Sequence, residues 1–317
     1  MIMYKFVNLG DFAQQVRTSK FDTQSKRSVS VFASSNIAGD GGYSVPTEFL
    51  DQIFMRYYNA LLPYCQVIPA SSGNISIPTD ETTPWASSGI IAEWDDEGGV
   101  ADQKKPILSL SEHTLRKLRV LIPATEELVS DSRAFDAWIP KAMNRAVTWK
   151  INDAIINGIG AARPLGIMNS GARIEVAKVT SQQAGTIQEG NILAMLERSL
   201  DPLASVWVIN PGCYGQVSNL TSFDSGMGRL AGLPVIATDA CSQLGQAGDI
   251  ILADLSGYRV VSKGAAFANS AHLWFDQDMH AFKLTVRIDG QPILRAPTTP
   301  PNSGTTRSHF VSLAERV

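Results

Sequence analysis

A chain of 317 residues with 44% hydrophobic and 18% charged content folds and can fill one large core or two modest ones, which excludes disorder along its whole length. Its net charge of −3 excludes a protein that coats nucleic acid over most of its surface, because such domains are strongly basic. The three cysteines, Cys65, Cys213 and Cys241, are odd in number, far apart and never in a CxxC spacing, so neither a disulfide framework nor a zinc knuckle is indicated.

The start, MIMYKFVNLGDFAQ, has an apolar residue only every few positions and an aspartate at Asp11. It lacks the continuous apolar core of a secretory signal, and no later run approaches the ~20 apolar residues of a membrane span. Synthesis and action in the cytoplasm are expected, unless the protein leaves inside a larger particle. From Met1 to Ser35, Lys5, Arg17, Lys20, Lys26 and Arg27 stand against Asp11 and Asp22, so this stretch is net positive within an acidic chain. Without a sustained period it reads as an N-terminal arm, 1–38, lying across another subunit, with DNA or an acidic neighbour as the other use for its cations.

Gly39, Gly41 and Gly42 break the chain, and Phe49, Leu50, Ile53 and Phe54 follow Pro46 and Thr47 at helical spacing, predicting a short amphipathic helix to about Asn59. CQVIPASSGNISIPTD predicts two short strands joined by a Ser-Ser-Gly-Asn turn. Residues 79–107 then lack any core-forming period yet carry Trp85, Trp94 and the carboxylates Glu93, Asp95, Asp96 and Glu97. This is an excursion from the fold. Its flanks, Ser109-Leu110-Ser111 and Leu118-Arg119-Val120-Leu121, alternate as a half-buried ribbon does. A lone two-stranded ribbon buries too little apolar surface to stand by itself, so a neighbouring subunit is expected to complete it. The acidic run lacks the Asp-x-Asp-x-Asp-Gly spacing of a calcium loop and brings no histidine, which argues against a metal site.

The strongest helix signal covers about 136–157, where Ile139, Met143, Val147, Ile151, Ala154 and Ile155 recur every three or four residues before Gly158 and Gly160. Pro140 is placed in its opening turn. Trp138, Met143 and Trp149 read as core, and Lys150 as a lysine whose stem lies on apolar surface with its head in water. Beyond Pro164-Leu165-Gly166 the rhythm changes: ILAMLERSL predicts a short helix, SVWVIN a buried strand, PGCYGQVSNL a helix opening on proline, and LPVIAT and DIILADL strands. AFKLTVRIDGQPI alternates as a long strand, with Asp289-Gly290 read as a turn, and FVSL offers a last strand. No GxSxG, HExxH, GxxxxGK[ST] or SxxK is present; Gly158-Ile159-Gly160-Ala161-Ala162-Arg163 follows a helix and lacks a third glycine, and His113, His272, His280 and His309 have no ligand spacing. Catalytic residues, metal ligands and cofactors are therefore assigned to none.

The order of Gly41-Gly42-x-x-Val45-Pro46, Ile75-Ser76-Ile77-Pro78, the Trp94-to-Glu97 loop, Ile122-Pro123 with Glu126-Glu127-Leu128, Asn157-Gly158-x-Gly160 with Pro164-Leu165-Gly166-Ile167, Asn210-Pro211 and Gly232-Leu233-Pro234-Val235 resembles the major capsid proteins of tailed bacteriophages, the Hong Kong 97-type fold. The resemblance spans roughly Gly39 to Ile293. It implies an α+β fold with a long spine helix, an extended β-ribbon loop, an N-terminal arm and an α/β axial domain. The implied layout is arm 1–38; peripheral domain 39–179 with the loop at about 79–107 and the spine helix at about 136–157; axial domain 180–276; and 277–317 as return strand and tail. It also implies a head protein of a phage or prophage, assembling as hexamers and pentamers into an icosahedral shell around DNA. The implied partners are copies of itself, a portal, a separate scaffolding protein, decoration proteins and DNA held non-specifically, without a membrane; the implied location is the virion, after synthesis in the bacterial cytoplasm. An internal scaffolding segment is expected to be absent or supplied by another protein. Lys104 and Lys105 lie near the loop, but with no matching asparagine and glutamate no covalent cross-link is expected. Trp94, Asp95, Asp96 and Glu97, with Arg17, Lys20, Lys26 and Arg27 of the arm, are the expected subunit-contact residues. An encapsulin-type compartment shell and an α/β enzyme without a recognisable motif are the alternatives.

Overall fold

The computed structural model describes residues 60–85, 89–92, 94, 105–126, 129, 133–302 and 304–316. The arm and the helix expected before Asn59 lie outside these residues. In chain order the strands and helices are β1 (Gln66–Pro69), β2 (Asn74–Thr79), β3 (Ser109–Thr114), β4 (Arg116–Thr125), α1 (Arg133–Asn157), β5 (Ile174–Val176), α2 (Glu189–Glu197), β6 (Val206–Ile209), α3 (Tyr214–Val217), β7 (Phe223–Asp224), β8 (Arg229–Leu230), β9 (Leu233–Ala237), β10 (Ile250–Ala253), β11 (Tyr258–Trp274), β12 (Met279–Pro292) and β13 (Phe310–Leu313). This is the mixed α+β composition the sequence implies.

The chain divides into two compact units, and β4, α1, β11 and β12 each have residues in both. The first contains Val120–Arg145 and Phe267–Leu284. Its β11 and β12 segments are joined through a turn in which Asp278 takes a positive φ of 50°, a conformation an aspartate tolerates better than most side chains. The Phe267 and Phe282 rings stack at 6.3 Å, and the Glu126 amide donates to the Asp278 carbonyl at 2.9 Å.

The second unit contains Tyr58–Arg119, Ala146–Ala266 and Thr285–Val317. Its centre is a seven-stranded sheet in the order β5-β13-β10-β6-β9-β8-β7. Strands β5 and β13, and β6 and β9, pair in parallel, whereas β13, β10 and β6 are successively antiparallel. One side-chain layer is formed by Ile174 and Val176, Trp207 and Ile209, Ile250 and Leu252, and Val311 and Leu313, packed with Ile192 and Met195 of α2 and with Val217 of α3. Strands β6, β10 and β13 are buried at every position, which explains why SVWVIN and DIILADL read as continuous apolar runs rather than alternating ones. Each such side chain, on burial, contributes ~1.5–3 kcal/mol. The Trp207 indole, wholly buried, still donates to the Leu230 carbonyl at 2.9 Å, as a buried polar tip must. FVSL, read only as a terminal strand, is an inner strand of this sheet, flanked by β5 and β10.

Helix α1 spans 25 residues, about 37 Å at 1.5 Å per residue. Ile139, Met143, Val147, Ile151 and Ile155 form its buried stripe, as the four-residue spacing predicts. The helix begins at Arg133, so Pro140 is not in the opening turn but inside the helix, where it can offer no hydrogen bond to the Asp136 carbonyl.

The end of α1 explains the Asn-Gly-x-Gly…Pro-Leu-Gly pattern. After Asn157 the chain folds back so that Ile159 bridges Leu165, the Gly166 amide donates to the Gly158 carbonyl at 2.8 Å and the Gly160 amide to that of Pro164 at 3.2 Å. A Cβ on Gly158 would lie 2.1 Å from the Pro164 oxygen, and one on Gly166 would lie 2.4 Å from the Gly158 nitrogen. Two backbones touch here, and glycine is what lets them do so.

Three local expectations change. The strands β1 and β2 both form, but they do not pair with each other: β1 runs parallel to β11, while β2 pairs antiparallel with β3. The ribbon partner of β3 is consequently β2 rather than the 118–121 segment, which belongs to β4 and the four-stranded sheet β1-β11-β12-β4. Asp289-Gly290 makes no turn, because β12 continues through it to Pro292. A Cβ on Gly290 would meet the Tyr258 ring at 2.9 Å, so this glycine clears space for an aromatic neighbour instead of reversing the chain.

Candidate assembly surface

The excursion between β2 and β3 starts from a firm base. All six residues of each strand pair, from Asn74 opposite Thr114 to Thr79 opposite Ser109. The ribbon was expected to lack support within its own chain, but polar ties secure it. Buried His113 on β3 meets Asp289 on β12, Nδ1 to Oδ2 at 3.1 Å; the carboxylate can only accept, so Nδ1 carries the proton. Arg259 donates to the Thr79 hydroxyl at 2.9 Å. At the mouth of the excursion Ser109 donates to Glu81 at 2.8 Å, Glu81 pairs with Arg295 at 3.4 Å, and the Trp85 indole donates to the Thr299 carbonyl at 2.9 Å.

Several large apolar side chains of the described excursion residues and of its foot on β3 are uncovered. Ile90, Trp94, Ile107, Leu108 and Leu110 are all exposed, and Trp94 completely so. Contiguous exposed patches of large apolar side chains are the ones that mark interaction surfaces. Of the expected contact residues, Trp94 is therefore placed with its whole indole free. Asp95, Asp96, Glu97, Arg17, Lys20, Lys26 and Arg27 lie outside the described residues.

A second surface feature was not anticipated. A cavity of about 210 Å³ opens between β4, α1, the turn after α1, and the β11 and β12 strands of the second unit. Ile151, Ile155, Val260 and Ile288, all buried, and half-buried Leu118 form its apolar wall. Arg116, Lys117, Lys150 and Arg163, all exposed, stand around it. The two lining carboxylates are engaged: Asp289 with His113, and Asp153 with Lys150 at 2.9 Å and Asn157 at 3.2 Å. Partial burial pushes the Asp153 carboxyl up, but the hydrogen bonds from Lys150 and Asn157 and the charges of Lys150 and Arg163 outweigh it and hold the group below the usual carboxylate range. Lys150, expected to reach into water over apolar surface, does so beside the Trp149 ring, 5.3 Å from its centroid. Arg116 and Lys117 are adjacent in the sequence, but nothing local shows that they meet Lys150 and Arg163, because three separate parts of the fold, β4, α1 and the turn after it, bring them together.

Among the described residues no group of three or more His, Cys, Asp and Glu side chains is placed to hold a metal. The three cysteines are free and buried; burial pushes the Cys65 thiol up to about 12, and burial together with the Asp249 carboxylate does the same for Cys213. Thiols in that state are not nucleophiles at neutral pH. No described helix is long and apolar enough to cross a membrane.

The sequence pattern of the phage capsid family matches residues 41–301. The chain belongs to the phage capsid family. Its solved relatives in shape include the capsid of a native GTA particle, with a TM-score of 0.65 at 15% identity over 89% of this chain and 99% of that one. The structures from Mycobacterium phage Adephagia (TM-score 0.59, 17% identity, 84% of this chain and 92% of that one) and Mycobacterium phage Bobi (0.60, 15%, 91% and 97%) share the same fold. No curated protein sequence matches the chain. At these identities the structural likeness establishes the Hong Kong 97-type fold, and the family match makes this a structural capsid protein rather than an enzyme. Its working location is the capsid.

Proposed function

We propose that this chain is the major head protein of a tailed phage, prophage or gene transfer agent, assembling into the hexamers and pentamers of a closed icosahedral shell that encloses DNA. The observation that carries the subunit-contact part of this reading is the set of exposed apolar side chains Ile90, Trp94, Ile107 and Leu108 on the excursion and Leu110 at its foot on β3, with Trp94 fully in water. In a shell, many modest contacts act together: losing one subunit requires breaking several of them at once, so closure stabilises contacts that are individually weak. In this reading 39–179 forms the peripheral domain, 180–276 the axial domain, 277–317 the return strand and tail, and the cationic arm with Arg17, Lys20, Lys26 and Arg27 crosses a neighbour. A portal, a separate scaffolding protein and decoration proteins complete the particle, DNA is held without sequence preference, and synthesis is in the host bacterial cytoplasm.

The test replaces Asp95, Asp96 and Glu97 together by alanine. The variant keeps the circular dichroism spectrum and melting temperature of the parent, while sedimentation velocity shows assembly shifted toward free subunits, because charges across an interface mainly set recognition and register. Undiminished assembly, or an unfolded variant, contradicts the assignment of this loop as a contact.

A further inference from the structure

We propose that the cavity bounded by Arg116, Lys117, Lys150 and Arg163 is the receptor for Trp94 of a second copy of this chain, whose neighbours in the sequence carry the charge opposite to these cations. The inference rests on the shell reading and adds the partner surface that the reading leaves unassigned.

The cavity specifies its guest by size, polarity and charge. At about 210 Å³ it falls below the roughly 300–1,000 Å³ of small-molecule sites, which suits one large side chain. Its wall of Leu118, Ile151, Ile155, Val260 and Ile288 offers apolar contact and no catalytic group. Its four surrounding cations outnumber its two carboxylates: Asp153 pairs with Lys150, one of the four, and Asp289 with His113, so Arg116, Lys117 and Arg163 carry the excess positive charge. The complement is an apolar or aromatic side chain embedded in negative charge.

Only one exposed large apolar residue among those described meets that specification. Trp94 has Glu93, Asp95, Asp96 and Glu97 within three positions, whereas Ile90, Leu110, Met227 and Leu273 have one carboxylate each within that distance and Trp85, Phe267 and Ile107 have none. The fully exposed state of Trp94 also shows that the chain does not fill the cavity with its own indole. The N-terminal arm is a poor competitor, since its five cations against two carboxylates would meet like charge. Tryptophan in a well-packed, desolvated pocket is among the residues enriched at interface hot spots, and the carboxylate-cation match would fix which copy's loop enters and in what register.

The test places the aromatic photo-cross-linker benzoylphenylalanine at position 94 of the full-length chain and irradiates the purified protein under conditions in which electron microscopy shows its state. The expected product is a covalent dimer on a denaturing gel, with mass spectrometry locating the link in 116–118, 150–155, 162–164 or 258–260 of the other chain. Lys117→Glu with Arg163→Glu, both at exposed positions, should cut the dimer yield by about tenfold or more, and adding Asp95→Lys with Asp96→Lys should restore it. Rings or shells whose link maps elsewhere, or links formed only within one chain, overturn this inference and leave the shell reading standing. Monomers alone, with no rings at any concentration and none when a scaffolding protein is co-produced, overturn both.

Discussion

Asp254 shows how a single side chain ties this fold to pH. It is nearly wholly buried, yet it accepts from His309 Nδ1 at 2.7 Å and from the Ser256 amide and hydroxyl at 3.0 and 2.7 Å. Burial alone would raise its pKa; the His309 and Ser256 hydrogen bonds and the His309 charge overcome that and hold the carboxyl below its ordinary value. A group whose folded pKa is depressed stabilises the fold above the unfolded carboxylate pKa of about 4, and loses that contribution as pH falls through the folded value. Asp254→Asn, which cannot ionise, should therefore show a smaller drop in melting temperature between about pH 5 and pH 3 than the parent does. Equal drops would mean that this carboxylate does not contribute to acid sensitivity. The Asp254–His309 pair joins residues 55 positions apart, and no local pattern announces it. The same holds for His113 and Asp289: the sequence argued that the histidines are not ligands, but could not say that one of them fastens a ribbon.

At the scale of elements, what was legible was what is local. The stripe from Ile139 to Ile155 made α1 visible because helix periodicity is written in consecutive residues, and the uninterrupted apolar runs made β6 and β10 visible for the same reason. Pairing was not legible, since β1 and β2 are close in sequence but join different sheets, and the partner of β1 lies nearly two hundred residues away in β11. Asp289-Gly290 misled because a turn signature and a cleared space use the same residue. The turn after α1 gives the sharpest element-scale prediction. Because a Cβ at Gly158 or Gly166 would fall within 2.1 and 2.4 Å of backbone atoms respectively, and backbone cannot swing aside as a side chain can, Gly158→Ala and Gly166→Ala should each cost at least about 1–3 kcal/mol in chemical denaturation. Gly215→Ala, where a Cβ meets nothing within 4 Å, is the control. A loss no larger than the control's would mean that the crossing relaxes freely.

Across the whole molecule, the sequence carried the fold family through the order of weak motifs rather than through any one of them, and the family match over residues 41–301 agrees with that order. The candidate contact surface was half legible. Trp94 and its acidic neighbours stood out because an aromatic among carboxylates has no place in a core, whereas the cation-ringed cavity depends on Arg116, Lys117, Lys150 and Arg163 meeting through the tertiary fold. A base tied by polar contacts beneath exposed apolar side chains such as Ile90 and Trp94 is what a subunit needs if its fold is to survive alone while its function requires copies. Electron microscopy of the purified full-length chain, across low and high salt, measures that requirement directly. Closed shells, or rings with six-fold and five-fold symmetry, are the expected result; particles that remain monomeric or dimeric under every condition, including in the presence of a co-produced scaffolding protein, would contradict the account.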